Sequence, residues 1–162
     1  MRLDLQPVVE KEQVLLRNLY SLYLHDLSRF SSNLTIGEDG FFHYEDLELF
    51  WSTEGISPYF IKLDDQVIGF LLLLERPYLT KDNDFGINDL FILNPYKGKG
   101  FGRGALKKLF NEKRGKYFVI ELRENEPAIL FWKKVFKDFE IDFDERSQLV
   151  DGEDCFIQTF LI

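Results

Sequence analysis

Residues 96–110, YKGKGFGRGALKKLF, constrain the fold of this chain more than any other segment. Four glycines alternate with Lys, Phe and Arg, and the segment then passes into a helical pattern of apolar residues. Glycine weakens a helix or a strand by roughly 0.5–1 kcal/mol relative to alanine. The apolar run GINDLFIL, residues 86–93, precedes the glycines and is typical of a strand. The pattern therefore predicts a strand, a loop whose backbone must stay bare, and a helix.

A glycine loop that opens a helix is suited to binding phosphate. The first turn of a helix has unpaired N–H groups, and its aligned peptide dipoles favour negative charge there. Lys97, Lys99 and Arg103 add positive charge, and no acidic residue occurs from Leu90 to Asn111. The loop is therefore predicted to bind a phosphorylated ligand.

The remaining patterns predict an α/β fold. Apolar residues at helical spacing predict a helix over 11–30, and HYEDLELFW suggests a short second helix. YFIKL and VIGFLLLL flank DDQ, which predicts a hairpin. A strand over 116–122, a helix over 125–136 capped by Asn125, and two closing strands, FEIDFDE and CFIQTFLI, complete the order. We expect one central, mixed, mostly antiparallel twisted sheet of six to seven strands with helices on both faces.

Composition limits the function classes. The 162 residues fit a single domain, 1–162, and the 45% apolar content is enough for a core. The net charge of −8 argues against nucleic-acid and anionic membrane partners. A lone cysteine, Cys155, suits a reducing compartment, and the N-terminal residues have no secretory pattern. The most apolar run is shorter than the ~20 residues of a membrane span. We expect a cytoplasmic protein.

Two phosphate-binding classes fit the loop poorly. A Walker A loop needs Lys followed by Ser or Thr after its last glycine, and GRGAL has neither. A dinucleotide fingerprint matches Gly100, Gly102 and Ala105, with Glu121 about twenty residues further on. However, that motif turns directly out of its strand, whereas here the segment NPYK separates the strand from the glycines. Too few residues follow the loop to complete a dinucleotide-binding fold.

A third class fits better, because YKGKGFGRGAL closely resembles the coenzyme A loop of the GCN5-related N-acetyltransferases (GNAT). The family pattern Gln/Arg-x-x-Gly-x-Gly/Ala appears as Lys97-x-x-Gly100-x-Gly102, with lysine in the first position. The second family motif is matched by Asn125, Ala128 and the aromatic pair at 131 and 132. The resemblance is clear from about 67 to 136.

The resemblance implies an acetyl-coenzyme A-dependent N-acetyltransferase that acts on a primary amine of a small molecule or peptide, without a metal. An alternative is a coenzyme A-binding module that has lost catalysis. By the resemblance, the pantetheine arm would contact the backbone of β-strand residues and the start of the last helix, and the pyrophosphate would lie on the loop. These cofactor-binding residues are Leu90, Phe91, Ile92, Lys97, Gly98, Lys99, Gly100, Phe101, Gly102, Arg103, Asn125, Ala128 and Trp132.

The catalytic positions depart from the family pattern. Alignment on DLFIL puts Asn88 at a common base position with Asp89 adjacent, and Asp89 is the preferred base. Glu75 and Glu121, each at the end of an apolar strand, are the next candidates. Trp132 occupies the position of the usual Tyr acid, and an indole N–H can donate a hydrogen bond but cannot act as an acid near neutral pH.

Candidate residues for the acceptor pocket are His43, Phe42 and Tyr44, which lie among aromatic residues in the region where this family builds that pocket. The two histidines are too far apart in sequence to predict a metal site. Neither the acceptor nor the oligomeric state follows from the sequence, and a homodimer stays open.

Overall fold

A seven-stranded sheet forms the middle of the molecule in the computed structural model, which describes residues 1–162. The strand order is β1-β2-β3-β4-β5-β7-β6, and every neighbouring pair is antiparallel except β4 and β5. The predicted mixed, mostly antiparallel sheet is therefore confirmed. The strands are β1 (Leu3–Pro7), β2 (Ile56–Leu63), β3 (Gln66–Glu75), β4 (Phe85–Ile92), β5 (Lys116–Leu122), β6 (Phe143–Val150) and β7 (Glu153–Leu161).

Helices cover both faces of the sheet, each over its own apolar core. The helices are α1 (Gln13–Leu27), α2 (Leu49–Ser52), α3 (Phe101–Glu112) and α4 (Glu126–Asp138). One core contains Leu16 and Tyr20 of α1, and the other contains Leu106 of α3 and Val135 of α4. Strand β3 contributes to both cores, which explains its nearly continuous apolar sequence. No helix is both long and apolar enough to span a membrane.

Strands β4 and β5 pair only at one end. Phe85–Ile87 pair with Tyr117–Val119, although β4 continues to Ile92 and β5 to Leu122. On the other side of β4, Leu72 lies opposite Asp89 and Leu73 lies opposite Ile87, so Asn88 is an extra residue in a β-bulge. A bulge bends the strand that carries it. The two strands consequently separate beyond Ile87 and leave an opening, here called the split.

Several boundaries differ from the sequence prediction. Strand β1 was not predicted, and the second helix covers only Leu49–Ser52. The segment from Phe139 to Ile141 ends α4 instead of beginning a strand, because Ile141 N–H donates to the carbonyl of Phe136 (2.8 Å) around Glu140 at φ 54°. This is a Schellman-type helix end. The predicted hairpin at DDQ is present, with Asp64 and Asp65 both at positive φ.

Candidate active site

The glycine loop joins β4 to α3 and exposes the N-terminus of that helix. After β4, a 3-10 turn at Asn94–Tyr96 leads to the loop, and α3 begins at Phe101. Gly98 (φ 73°) and Gly100 (φ 84°) adopt the left-handed conformation that favours glycine. Gly100 is the N-cap residue, and no side chain caps the helix. The first-turn N–H groups of α3 are therefore available to an anion.

The other two glycines of the loop face protein rather than open space. A Cβ at Gly102 would lie 3.2 Å from Cε1 of Phe131 on α4, and one at Gly104 would lie 2.7 Å from Cδ2 of Leu3 on β1. By contrast, a Cβ at Gly98 would meet nothing within 4 Å. Two glycines thus leave room for a ligand, and two allow α3 to pack against its neighbours.

A groove of about 670 Å³ runs along this loop between β4, α3 and α4; we call it the loop groove. Four of its lining residues are lysines or arginines and none is acidic. Lys97 Nζ lies 3.2 Å from Asp26 Oδ2, and Arg103 Nη1 lies 2.6 Å from Asp138 Oδ2. The predicted cofactor residues that line the groove are Leu90, Ile92, Lys97, Gly98, Lys99, Gly100, Phe101, Gly102, Arg103, Ala128 and Trp132.

Two predicted cofactor residues do not line the groove with their side chains. Phe91 belongs to the core beneath α1, where its ring lies 5.7 Å from that of Phe70, so only its backbone is available at the split. Asn125 caps α4 by accepting a hydrogen bond from Ala128 N–H (3.2 Å), as the sequence predicted. It lines the neighbouring cavity instead.

A second cavity, of about 440 Å³, lies at the split and shares Leu90, Ala128 and Trp132 with the loop groove. We call it the split cavity. Residues from α1, β4, β5, α4 and the β6–β7 hairpin line it, so it reaches both faces of the sheet. Because β4 and β5 do not pair here, their facing backbone groups can bond a ligand. The two spaces meet at the point where β4 and β5 part.

Asp89 lines the split cavity from the α1 side of the sheet. The residue is 8% exposed, and its Oδ2 accepts hydrogen bonds from Tyr20 Oη (2.8 Å) and Asn88 Nδ2 (3.0 Å). Burial raises the pKa of Asp89, although these hydrogen bonds oppose the shift by favouring the carboxylate. Asn88 also lines the cavity and lies 3.5 Å from Tyr44 Oη. The structure therefore brings the two predicted β4 residues together in the cavity.

Glu121 lines the same cavity from β5 and is 4% exposed. Neither of its carboxyl oxygens has a hydrogen-bond partner. Burial raises the pKa of Glu121 to about 7, and the nearby amide of Gln158 only partly opposes this. Gln158 Nε2 itself donates to Glu145 Oε1 (2.8 Å). Glu121 is thus a buried carboxyl group without a counter-ion.

Glu75 lies outside both the loop groove and the split cavity. Its carboxylate accepts hydrogen bonds from Ser57 Oγ (2.7 Å) and Lys113 Nζ (2.9 Å). These contacts join β2, β3 and the end of α3, away from both spaces.

Trp132 lies where the loop groove and the split cavity meet. It is 6% exposed, and its ring lies edge-on to Phe131 with centroids 5.5 Å apart. The side chain thus forms a wall between α4 and the opening.

The predicted pocket residues His43, Phe42 and Tyr44 do not line the split cavity. His43 is paired at the surface with Asp39 (2.8 Å), and the Tyr44 ring packs against Tyr20 with centroids 4.6 Å apart. Residues from an earlier part of the same loop, Ser31, Asn33 and Leu34, line the cavity instead. Nothing in the turn-rich sequence around them marks these residues as pocket residues.

Acidic residues line the split cavity, and no basic residue does. Asp89, Glu121, Asp151 and Glu153 line it, and no lysine, arginine or histidine does. Glu153 Oε1 accepts hydrogen bonds from Ser31 Oγ (2.5 Å) and Asn33 Nδ2 (2.6 Å). These bonds tie the α1–α2 loop to the β6–β7 hairpin. The sequence missed Asp151 and Glu153, since only the folded hairpin brings them to β4.

Solved structures share this architecture. An acetyltransferase from Thermus thermophilus superposes with a TM-score of 0.73 at 19% identity, covering 100% of this chain and 98% of the other. The PaiA N-acetyltransferase from Thermoplasma acidophilum, in complex with coenzyme A, gives 0.60 at 15% identity with full coverage of both chains. Arabidopsis thaliana Naa50, in complex with the bisubstrate analogue CoA-Ac-MVNAL, gives 0.59 at 16% identity and 98% coverage of each chain.

Sequence comparison gives the family directly. Among curated proteins no sequence matches the chain significantly. The family model for the acetyltransferase (GNAT) family, however, matches residues 17–137, a span that includes β4, the glycine loop, the split and nearly all of α4. The chain therefore belongs to the GNAT acetyltransferase family, whose cosubstrate is acetyl-coenzyme A.

Proposed function

We propose that this acetyltransferase transfers the acetyl group to a primary amine on a small, apolar, cationic acceptor. The observation that carries the proposal is the split cavity, whose charged lining residues are all acidic and which joins the loop groove. Most of its other lining residues are apolar. Its volume of about 440 Å³ lies toward the lower end of the ~300–1,000 Å³ typical of small-molecule sites.

The loop groove fits the coenzyme. Bare backbone at Gly98 and Gly100, the uncapped start of α3 and the side chains of Lys97, Lys99 and Arg103 would hold its phosphates. Leu90, Ala128 and Trp132 would flank the pantetheine where the groove meets the split cavity. When bound, acetyl-coenzyme A supplies the acyl group as a thioester.

Asp89 is proposed as the base that takes a proton from the acceptor ammonium. Asp89 lines the split cavity, and Tyr20 and Asn88 hold its carboxylate in place through hydrogen bonds to Oδ2. Its raised pKa brings it closer to neutral pH, where a general base is most effective. An unpaired N–H of β4 beyond Ile87 would stabilise the oxyanion that forms as the amine attacks.

The acceptor class can be tested with three compounds of similar shape. Thiol release from acetyl-coenzyme A would be measured with 2-phenylethylamine, phenylalanine and 2-phenylethanol. We expect 2-phenylethylamine to be acetylated and phenylalanine to react at least about 10-fold more slowly, because its carboxylate would face the carboxylates of Asp89, Asp151 and Glu153. The alcohol should not react. Equal rates for the amine and the amino acid would contradict the proposed charge selectivity.

Two other outcomes have distinct meanings. Preference for a peptide N-terminus over every small amine would assign a peptide acceptor. If calorimetry shows coenzyme A binding but no amine releases the thiol, the protein would be a coenzyme A-binding module. This alternative rests on Trp132 at the usual tyrosine position.

We further propose that residues 1–162 act as one domain in the cytoplasm. We also propose that the protein can form a homodimer, which a measurement of its molar mass in solution by light scattering would test.

A further inference from the structure

The two buried carboxyl groups of the split cavity lie on opposite faces of the sheet. Asp89 bonds Tyr20 of α1 on one face. On β5, alternate residues Tyr117 and Val119 belong to the core beneath α3 and α4, so Glu121, next in the alternation, faces α4. We propose that Glu121 is the acid that protonates the coenzyme A sulfur as it leaves. This inference rests on the proposed transfer to an amine.

The side on which Glu121 lies matches the side of the leaving group. The loop groove is formed by α3 and α4, so the coenzyme approaches the split from the α4 face. Leu90, Ala128 and Trp132 line both spaces and therefore bound the junction that the thioester would have to occupy. Since the rest of the coenzyme would lie in the loop groove, its sulfur would leave toward that groove, on the Glu121 side. The acceptor amine approaches from the Asp89 side.

The surroundings of Glu121 favour its protonated form. It is 4% exposed, and neither oxygen is hydrogen-bonded. The titratable groups that face it are Lys133 of α4, Glu145 of β6 and Cys155 of β7, with Asp89 across the split. Lys133 lies 3.8 Å from Glu145 and so is already paired. An unpaired buried carboxyl group holds its proton to a higher pH than an exposed one.

The proposed step conserves atoms and charge. The acceptor ammonium first gives one proton to Asp89, which passes it to solvent. The amine nitrogen then forms a bond to the acetyl carbonyl carbon and gives a second proton to Asp89. The carbon–sulfur bond then breaks, and its electron pair goes to sulfur. The carboxyl proton of Glu121 goes to that sulfur and gives the free thiol. In each turnover Asp89 releases two protons to solvent and Glu121 regains one, so the net release is the one proton that distinguishes the ammonium from the neutral amine.

This assignment also accounts for Trp132. An indole N–H cannot act as an acid near neutral pH, so the proton for the sulfur comes from solvent or from another side chain. Glu121 is a cavity carboxyl group on the α4 face, close to the helix that carries Trp132.

The experiment compares three proteins: the parent, Glu121→Gln and the control Glu145→Gln. Glu145 is a neighbouring carboxylate that does not line the cavity. The dependence of kcat on pH would be measured with 2-phenylethylamine and acetyl-coenzyme A. We expect Glu121→Gln to lower kcat about 10²-fold and to remove the alkaline limb, while the acid limb stays. Glu145→Gln should keep the alkaline limb, shifted to slightly lower pH because a neighbouring negative charge is lost.

Three kinetic results would overturn the proposal. If Glu121→Gln lost the acid limb of the pH profile instead of the alkaline limb, Glu121 would be a base. A lower kcat with an unchanged profile would mean a structural role only, and an unchanged kcat would mean no role. If no amine reacts, the proposed acceptor is wrong. The dependence of kcat on pH is then measured for the hydrolysis of acetyl-coenzyme A by the same three proteins, because hydrolysis must also protonate the sulfur. Independently, infrared difference spectra of parent minus Glu121→Gln should show a protonated carboxyl band at pH 6, and its absence would refute the acid role.

Discussion

At the scale of single residues, burial and hydrogen bonds separate three carboxyl groups that look alike in sequence. Asp89, Glu75 and Glu121 all lie in or at the end of apolar strands. Glu75 is neutralised by Lys113, Asp89 is held by two donors, and Glu121 has no partner. Since a catalytic group needs access to substrate, the proposed roles fall to Asp89 and Glu121, which line the split cavity.

The role of Asp89 can be tested by a substitution that keeps its shape. We expect Asp89→Asn to lower kcat/KM by about 10²-fold and to remove the acid-side limb of the pH profile, because an amide cannot accept the ammonium proton. Glu75→Gln is the control, since it removes a carboxylate that lies outside the cavity. An Asp89→Asn protein with near-parental rates would mean that the proton passes to another group or to water.

At the scale of elements, the site depends on two irregularities. The bulge at Asn88 parts β4 from β5, and the glycine loop exposes the start of α3. Regular pairing along the full strands would close the split and satisfy the backbone groups that a ligand needs. The loop and the split lie at the same end of β4, which is why the groove and the cavity are continuous.

The glycine loop offers a matched pair of substitutions. Gly100 and Gly40 have nearly the same positive φ (84° and 82°), and a Cβ at either would meet no atom closer than 3.6 Å. Valine at either position should therefore destabilise the fold similarly, by roughly 1–2 kcal/mol. Only Gly100→Val should weaken coenzyme A binding, by at least about 10-fold in calorimetry, because its side chain would enter the loop groove. Equal affinities for the two variants would contradict the loop assignment.

At the scale of the whole molecule, the unpaired carboxyl group couples stability to pH. The folded protein holds a proton on Glu121 up to about pH 7, whereas an ordinary glutamate loses it near 4.5. Between these values the folded state binds more protons than the unfolded chain, so the free energy of unfolding decreases as pH rises. Below pH 4.5 the stabilisation that Glu121 contributes to the folded state is fully present, and above about pH 7 it has been lost.

We therefore expect the parent to lose on the order of 2 kcal/mol of stability from this group between pH 4.5 and 8. Glu121→Gln should lose less over the same range and should be more stable than the parent at pH 8. Urea denaturation at several pH values measures both quantities, with Glu145→Gln as the control. Parallel pH dependences for the parent and Glu121→Gln would show that Glu121 titrates normally.

The sequence by itself determined the elements and the coenzyme loop, because their signals are local. Apolar periodicity gave α1, α3, α4 and the inner strands, and the alternating glycines marked the phosphate-binding turn. The short edge strand β1 and the end of α4 were missed, since pairing with β2 and a backbone bond around Glu140 decide them.

Only the tertiary structure decided the acceptor side. The split cavity draws residues from α1, two central strands, α4 and the β6–β7 hairpin, which are far apart in sequence. His43 looked like a pocket residue, yet it pairs with Asp39 at the surface, while Ser31 and Glu153 meet across the cavity. The ionisation of Glu121 depends on the same packing, because its neighbours on α4, β6 and β7 exclude water without supplying a hydrogen bond. Residue type gives the chemistry that a side chain can perform, but burial and neighbours set its protonation state.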